Sequence, residues 1–144
     1  MLIELINADK MTRQKPLILI VDDEEGFLEV FSIKLNASGF EVVAARNGKE
    51  GIGQAEKLLP DLILMDIHMP GGTGTDAALF LKQNPKTKDL KIAFLTNMKD
   101  PWPAVNGDKK KLTQALGMED FLEKTDDLET LVMKIKEILV RKTA

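Results

Sequence analysis

Five short apolar runs recur along the chain and predict five β-strands. The runs are rich in Ile, Leu and Val, which is typical of buried strands. They lie at residues 17–21, 40–45, 62–65, 91–95 and 118–122. Between them, apolar residues recur every three or four positions, a spacing that predicts amphipathic helices. The pattern therefore predicts strand and helix in alternation through five rounds.

Polar residues at two positions predict where helices begin. Asn47 is followed three residues later by Glu50, and Asp126 is followed in the same way by Glu129. An N-cap residue with an acidic partner three residues on is typical of a helix start. The last helix has the clearest apolar pattern, formed by Leu128, Leu131, Val132, Ile135, Ile138 and Leu139.

The alternation of strands and helices predicts an α/β fold with a doubly wound, five-stranded parallel sheet and five helices. Parallel strands need crossover connections, and right-handed crossovers place helices on both faces of the sheet. In such sheets ligands bind beyond the carboxyl ends of the strands. We therefore look for functional residues directly after each predicted strand.

The composition excludes several classes of protein. A chain of 144 residues without cysteine fits one domain and excludes a disulfide framework and cysteine-based zinc sites. Its 20 basic and 23 acidic side chains give a net charge of -3, so we expect no direct nucleic acid partner. The apolar run at 17–21 is far shorter than the ~20 residues that span a bilayer. We expect no membrane span and a cytoplasmic location.

Carboxylates follow the first and third predicted strands. Asp22 and Asp23 come after the first, and Asp66 follows the third. Carboxylates brought close together repel one another, so they share protons or bind a hard cation, and Mg²⁺ prefers oxygen ligands. In the alternative interpretation, Asp22 and Asp23 only begin the first helix, where acidic residues complement the helix dipole.

A hydroxyl and an ammonium group follow the fourth and fifth predicted strands. These are Thr96 and Lys124, and either one alone would be ordinary. Together with the carboxylates they suit an anion such as a phosphoryl group. A carboxylate would attack phosphorus, while a cation and the lysine balance the charge.

These motifs resemble those of response-regulator receiver domains of two-component signalling, of the kind found in chemotaxis. The resemblance covers residues 15–142, which leaves 1–14 as an N-terminal extension and 143–144 as a C-terminal tail. The first ten residues are either part of that extension or the result of a translation start upstream of Met11. It rests on ILIVDDE, LILMDIHMP, GGTG, AFLT and GMEDFLEK. The resemblance implies a flavodoxin-like sheet with the strand order 2-1-3-4-5.

The resemblance also implies a role for each matching residue. Asp66 would accept the phosphoryl group. Asp22, Asp23 and the backbone carbonyl of His68 would hold Mg²⁺, with Mn²⁺ as a substitute. Thr96 would be the switch hydroxyl, Lys124 the lysine that contacts the phosphoryl group, and Phe121 the switch aromatic. Without the family context, Phe121 would be interpreted as a core residue.

The sequence departs from the family pattern at three points. Asn97 follows the switch hydroxyl, at a position where receivers have a small residue. Met98, the next residue, offers no polar group to orient the attacking water, which predicts slow self-dephosphorylation. Thr125 stands where the family has a proline in a cis bond, so the bond after Lys124 is either trans or strained. Residues 100–111 form a long predicted loop that contains Trp102. Either Trp102 packs over the sheet end, or the loop covers the phosphorylation pocket or forms a partner surface.

These features predict a signalling switch, not an enzyme beyond its own phosphorylation and dephosphorylation. The donor would be a histidine kinase or a histidine phosphotransfer protein, bound mainly by Glu24, Phe27 and Leu28, although these also fit solvent and core positions. The output would pass to a downstream protein or to a fused domain outside this chain, and a phosphorylation-dependent homodimer is left open. The alternative hypothesis is an interaction module that uses the fold without phosphorylation.

Overall fold

The structure is a computed structural model, and it describes residues 13–69, 72–97 and 113–141. Five parallel strands form its main sheet, and two short strands, β4 His68–Met69 and β5 Gly72–Thr73, lie outside it. The five are β1 Leu17–Val21, β2 Glu41–Ala45, β3 Leu62–Asp66, β6 Ile92–Thr96 and β7 Asp120–Glu123. Their order across the sheet is β2-β1-β3-β6-β7. Counting only these five strands, the order is 2-1-3-4-5, as the resemblance implied.

The strands are joined through helices, as the alternation predicted. The helices are α1 Glu25–Ala37, α2 Gly48–Leu58, α3 Gly74–Gln83 and α4 Leu128–Val140. The remaining predicted helix, around Leu112, Ala115 and Leu116, is described only from residue 113 on, and residues 113–115 are helical. The predicted α/β fold class is confirmed.

Alternate residues of the strands point into two separate cores, which is why the strands are apolar on both faces. Leu19 and Ile63 face α2 and α3, whereas Ile18 and Leu64 face α1 and α4. All four side chains are fully buried. The two cores fix the sheet from both sides, so that the carboxyl ends of its strands form a single edge.

One predicted helix start is confirmed and the other is wrong by one residue. Asn47 caps α2 and accepts a hydrogen bond from the backbone N–H of Glu50 at 2.9 Å. The last helix is capped by Asp127, which accepts from Thr130 N–H at 2.8 Å. Asp126 instead accepts from Lys134 Nζ at 3.0 Å. Only Asp126 has an acidic residue three positions on, whereas Asp127 is followed there by Thr130, so the capping signal in the sequence favoured the wrong aspartate.

A small antiparallel hairpin, absent from the sequence prediction, follows β3. Its strands are β4 His68–Met69 and β5 Gly72–Thr73. The backbone N–H of Gly74 donates to Ile67 O at 3.1 Å, directly after the hairpin. The start of α3 is therefore fixed against the end of β3, where Asp66 lies.

Arg13 is bound to the folded domain although the sequence prediction placed it in the N-terminal extension. Its guanidinium donates to Leu58 O at 2.6 Å and lies 3.4 Å from Asp61 Oδ2. Leu58 is the last residue of α2, so a cation here neutralises the carbonyl end of the helix. Within the described residues, no helix is long and apolar enough to cross a membrane.

Candidate functional site

The residues singled out at the strand ends meet at one edge of the sheet. Asp22 and Asp23 directly follow β1, Asp66 ends β3, Thr96 ends β6, and Lys124 directly follows β7. Backbone hydrogen bonds hold these ends together, from Asp22 N to Ala45 O at 2.9 Å and from Lys124 N to Thr96 O at 2.8 Å. The convergence follows from the parallel register, which places all carboxyl ends on the same side.

Three carboxylates form an acidic cluster at this edge. Asp22, Asp23 and Asp66 each offer an oxygen, and the three oxygens lie within 4.8 Å of one another. Asp22 and Asp66 are buried, whereas Asp23 is exposed. We call these three residues the acidic cluster. It is open to solvent on the side of Asp23.

Lys124 supplies the positive charge beside the acidic cluster. Its Nζ lies 2.6 Å from Asp22 Oδ2, 3.1 Å from Glu24 Oε1 and 3.2 Å from Asp66 Oδ2, and its side chain is only 3% exposed. The ring of Phe27 covers the ammonium group, with the ring centroid 5.0 Å from Nζ. Lys124 is therefore fixed by three carboxylates and an aromatic face.

The contact between Lys124 and Asp22 is an ion pair, not a well-directed hydrogen bond. Asp22 Oδ2 is buried and accepts no hydrogen bond with acceptable angles from the described residues, although Lys124 Nζ is only 2.6 Å away. At this short distance the attraction between the two charges is strong. Within the described residues this oxygen is thus held by charge alone, and a carboxylate oxygen without a hydrogen-bond donor suits a hard cation.

Burial and neighbouring charge alter the protonation of the site. Burial, together with the negative charge of Asp22, raises the pKa of Asp66 to about 6, although Lys124 opposes the shift. Burial opposes the charged form of Lys124, but its contacts with Asp22 and Asp66 outweigh that effect and raise its pKa. Hydrogen bonds from Asn97 and Lys124 lower the pKa of Glu24. These shifts show that the site carries excess negative charge, which a bound cation would reduce.

The residues present fit a hard divalent cation. The acidic cluster and Glu24 bring four carboxylates to this edge, and three of them contact Lys124, the ammonium group that the described part of the site contains. The donor atoms of the acidic cluster are all oxygens, which suits Mg²⁺ or Mn²⁺ better than softer metals. The acidic cluster can therefore hold a metal, and a bound cation would relieve the repulsion among its carboxylates.

The other predicted site residues also lie at or near this edge. Thr96 is buried at the end of β6. His68 donates its backbone N–H to Asp66 Oδ1 at 3.2 Å, while its side chain is exposed. Phe121 is partly buried, and its ring packs against that of Phe94 with centroids 5.2 Å apart. The structure thus places Phe121 beside the core, adjacent to the strand that carries Thr96.

The departures from the family pattern do not displace the site. No peptide bond within the described residues is cis, so Thr125 follows Lys124 through a trans bond, and Lys124 nevertheless contacts Asp66. Asn97 donates from Nδ2 to Glu24 Oε1 at 2.8 Å. Met98, Trp102 and the predicted loop 100–111 lie outside the described residues.

The structure also reveals contributions that the sequence prediction missed. A Cβ atom on Gly74 would overlap Asp66 O and lie 2.9 Å from Met65 Cγ, so this position accepts glycine alone without a shift. Phe27 covers Lys124, a role different from the predicted recognition of a donor. Leu28 is buried in the core beneath α1, which is the core position that the sequence also allowed for it.

Comparisons with known proteins agree with this geometry. Residues 18–136 match the model of the response regulator receiver domain. The polar-differentiation response regulator DivK of Brucella anthropi is 30% identical over 122 residues, which cover 85% of this chain and 94% of that protein. A DNA-binding dual master transcriptional regulator, RpaA of Synechocystis, is 29% identical over 88% of this chain and 50% of its own length.

Solved structures show the same similarity. The chemotaxis response regulator CheY4 of Vibrio cholerae superposes with a TM-score of 0.75 at 28% identity, covering 87% of this chain and 99% of that one. A response regulator structure from Chloroflexus aurantiacus gives a TM-score of 0.74 at 32% identity, covering 89% and 100%. The chain therefore belongs to the response regulator receiver domain family.

Proposed function

We propose that this receiver accepts a phosphoryl group on Asp66 from a histidine kinase or a histidine phosphotransfer protein, in a Mg²⁺-dependent reaction. Receiver domains act as signalling switches that take phosphoryl groups from histidine kinases. The observation that carries the proposal is the position of Asp66, whose carboxylate belongs to the acidic cluster and also lies 3.2 Å from Lys124 Nζ. A module that never becomes phosphorylated is not favoured, because it would have no use for this arrangement.

The proposed step is a direct transfer between two protein side chains. A carboxylate oxygen of Asp66 attacks phosphorus, the P–N bond of the donor phosphohistidine breaks, and its electron pair stays on the imidazole nitrogen. The product is an acyl phosphate on Asp66. Lys124 is already fixed beside Asp66, so its ammonium group can pair with phosphoryl oxygens without a large movement.

Asp22, Asp23, Asp66 and the backbone carbonyl of His68 would hold the divalent cation. When bound, Mg²⁺ would neutralise the carboxylates and the phosphoryl oxygens, which lowers the repulsion between two anions that must approach. Mn²⁺ has the same ligand preference and should substitute. Burial and the charge of Asp22 raise the pKa of Asp66, and a bound cation would offset both effects by favouring the charged carboxylate.

Thr96 and Phe121 are the proposed switch residues. Thr96 ends the strand next to β3, and Phe121 occupies β7, so a movement of the Thr96 hydroxyl toward phosphoryl oxygens would disturb both strands. The output would be a changed protein-interaction surface around β7, α4 and the helix that precedes β7. Hydrolysis of the acyl phosphate by water would reset the switch, slowly if Met98 leaves the water unoriented. We place this function in residues 15–142 and in the cytoplasm.

Intact mass spectrometry after incubation with acetyl phosphate and Mg²⁺ tests the proposal. We expect one phosphoryl adduct on the parent protein and none on Asp66→Asn, which keeps the shape of the side chain. Asp61→Asn is a matched control, because Asp61 is an aspartate remote from the site. Its side chain contacts Arg13 and accepts a hydrogen bond from the backbone N–H of Leu17. No adduct on the parent, or an adduct that persists in Asp66→Asn, would contradict the proposal.

A further inference from the structure

Glu24 does not do what its position in the chain suggests. It is the N-cap residue of α1, yet its side chain makes no capping hydrogen bond. Its Oε1 instead accepts from Asn97 Nδ2 at 2.8 Å and from Lys124 Nζ at 3.1 Å. The side chain crosses from the start of α1 to the ends of β6 and β7, over the edge of the site.

Glu24 differs from the other two carboxylates that contact Lys124. Asp22 and Asp66 are buried and belong to the acidic cluster, whereas the side chain of Glu24 is 48% exposed and lies outside that cluster. Glu24 therefore lies apart from the acidic cluster, and it neutralises Lys124 from the solvent side. Phosphoryl oxygens that approach Lys124 would meet a carboxylate already paired with it.

We propose that Glu24 is a resident counter-ion for Lys124, held in place by Asn97, and that it must leave Lys124 when a phosphoryl group binds to Asp66. This inference rests on the proposed function. A phosphoryl group adds negative charge beside Lys124, so the two anions repel each other and compete for one ammonium group. The Asn97 amide makes the competition stronger, because it fixes Glu24 in the orientation that contacts Lys124.

The counter-ion links the occupancy of the site to the ends of two strands. Glu24 lies between β1 and α1, and its backbone is fixed by a hydrogen bond from its N–H to Asp22 Oδ1 at 2.9 Å. Asn97 directly follows β6 and donates to Glu24. Release of Glu24 would break this contact, so that the ends of β1 and β6 lose a side-chain link when Asp66 is occupied.

Equilibrium binding of beryllofluoride, a phosphoryl analogue, tests the proposal at a Mg²⁺ concentration that saturates each variant. Saturation is set first by titration with Mg²⁺ alone, which removes any effect of Glu24 on metal affinity. An equilibrium constant is also insensitive to the width of the entrance, since a narrow entrance slows binding and release alike. Glu24→Gln keeps the shape and the contact with Asn97 but removes the charge.

We expect Glu24→Gln to bind beryllofluoride about two- to fivefold more tightly, the range of a half-exposed ion pair. Asn97→Ala should tighten binding less, and should add nothing to Glu24→Gln because both act through one contact. Glu25→Gln is the matched control, since Glu25 is the adjacent acid and pairs with Arg46 instead. It should leave the affinity unchanged.

Two results separate the inference from the function on which it rests. If the parent binds beryllofluoride but Glu24→Gln binds equally well or more weakly, the counter-ion role is wrong and the proposed function stands. If neither the parent nor any variant binds beryllofluoride with Mg²⁺, the proposed function itself is wrong, and the counter-ion role is overturned with it.

Discussion

Lys124 Nζ lies 3.2 Å from Asp66 Oδ2 although 58 residues separate them in the chain. The contact depends on β3 and β7, which end at the same edge of the sheet with β6 between them. A buried ammonium group and a buried carboxylate stabilise each other only while both are present. The pair therefore connects the stability of the fold to the chemistry of the site.

Replacement of Lys124 by methionine should destabilise the metal-free protein, because Asp22 and Asp66 would keep buried negative charge without a partner. We expect the free energy of unfolding in urea with EDTA to fall by about 1 to 3 kcal/mol. Added Mg²⁺ should recover more stability in this variant than in the parent. Lys134→Met, which removes a more exposed ion pair with Asp126, should change the stability by less than about 1 kcal/mol. Equal losses in the two variants would contradict the account.

Replacement of Gly74 by alanine should damage both stability and phosphorylation. The added methyl group would overlap the backbone carbonyl of Asp66, so the start of α3 or the end of β3 must move. We expect a loss of about 1 to 3 kcal/mol in chemical denaturation, together with slower phosphorylation by acetyl phosphate. Gly53→Ala is the control, since nothing lies within 4 Å of a Cβ there and alanine favours the helix. A harmless Gly74→Ala would refute the close approach.

Replacement of Arg13 by alanine should destabilise the domain although the residue precedes the first strand. The guanidinium binds the last carbonyl of α2 at 2.6 Å, and its side chain is 17% exposed. We expect a loss of about 1 kcal/mol in the free energy of unfolding, measured by urea titration. The exposed Lys15, two residues on, provides the control Lys15→Ala, which should have little effect. A similar result for both variants would mean that Arg13 contributes nothing specific.

Stability should depend on pH through the cap of α4. Hydrogen bonds from the backbone and side chain of Thr130 lower the pKa of Asp127, so the folded protein binds this proton less tightly than the unfolded chain. The stabilisation is present above the unfolded pKa and disappears as the pH falls through the lower folded value. Asp127→Asn keeps a capping oxygen without the charge, so thermal melts of the two proteins should converge at acidic pH. A constant difference from pH 7 to the acidic range would contradict the linkage.

Most of the fold could be predicted from local patterns. The apolar runs and helical spacing predicted all five strands of the main sheet within two residues at either end, and the site residues followed because parallel strands end at one edge. The use of Asp127 as the cap could not be predicted from this signal, because Asp126 is the aspartate with an acidic partner three residues on. The contacts of Arg13 and the side-chain path of Glu24 depend on residues distant in sequence, which no local pattern encodes.

The side-chain contacts of Glu24 are the clearest example of a feature that the sequence could not predict. Its place among four consecutive acidic residues predicted only a charged start to α1 or a contact with a donor. The contact with Asn97 joins residues 73 positions apart, and it forms only because β1 and β6 end at the same edge. Asn97, one of the residues that depart from the family pattern, thus has a hydrogen-bond partner that only the folded structure reveals.

Reduction of the phosphorylated protein with borohydride, followed by peptide sequencing, tests the central claim most directly. Borohydride converts an aspartyl phosphate to homoserine, which marks the acceptor without a substitution. We expect homoserine at position 66 after incubation with acetyl phosphate and Mg²⁺, and none when EDTA is present. Homoserine at Asp22 or Asp23, or at no position, would contradict the assignment of Asp66 as the phosphoryl acceptor.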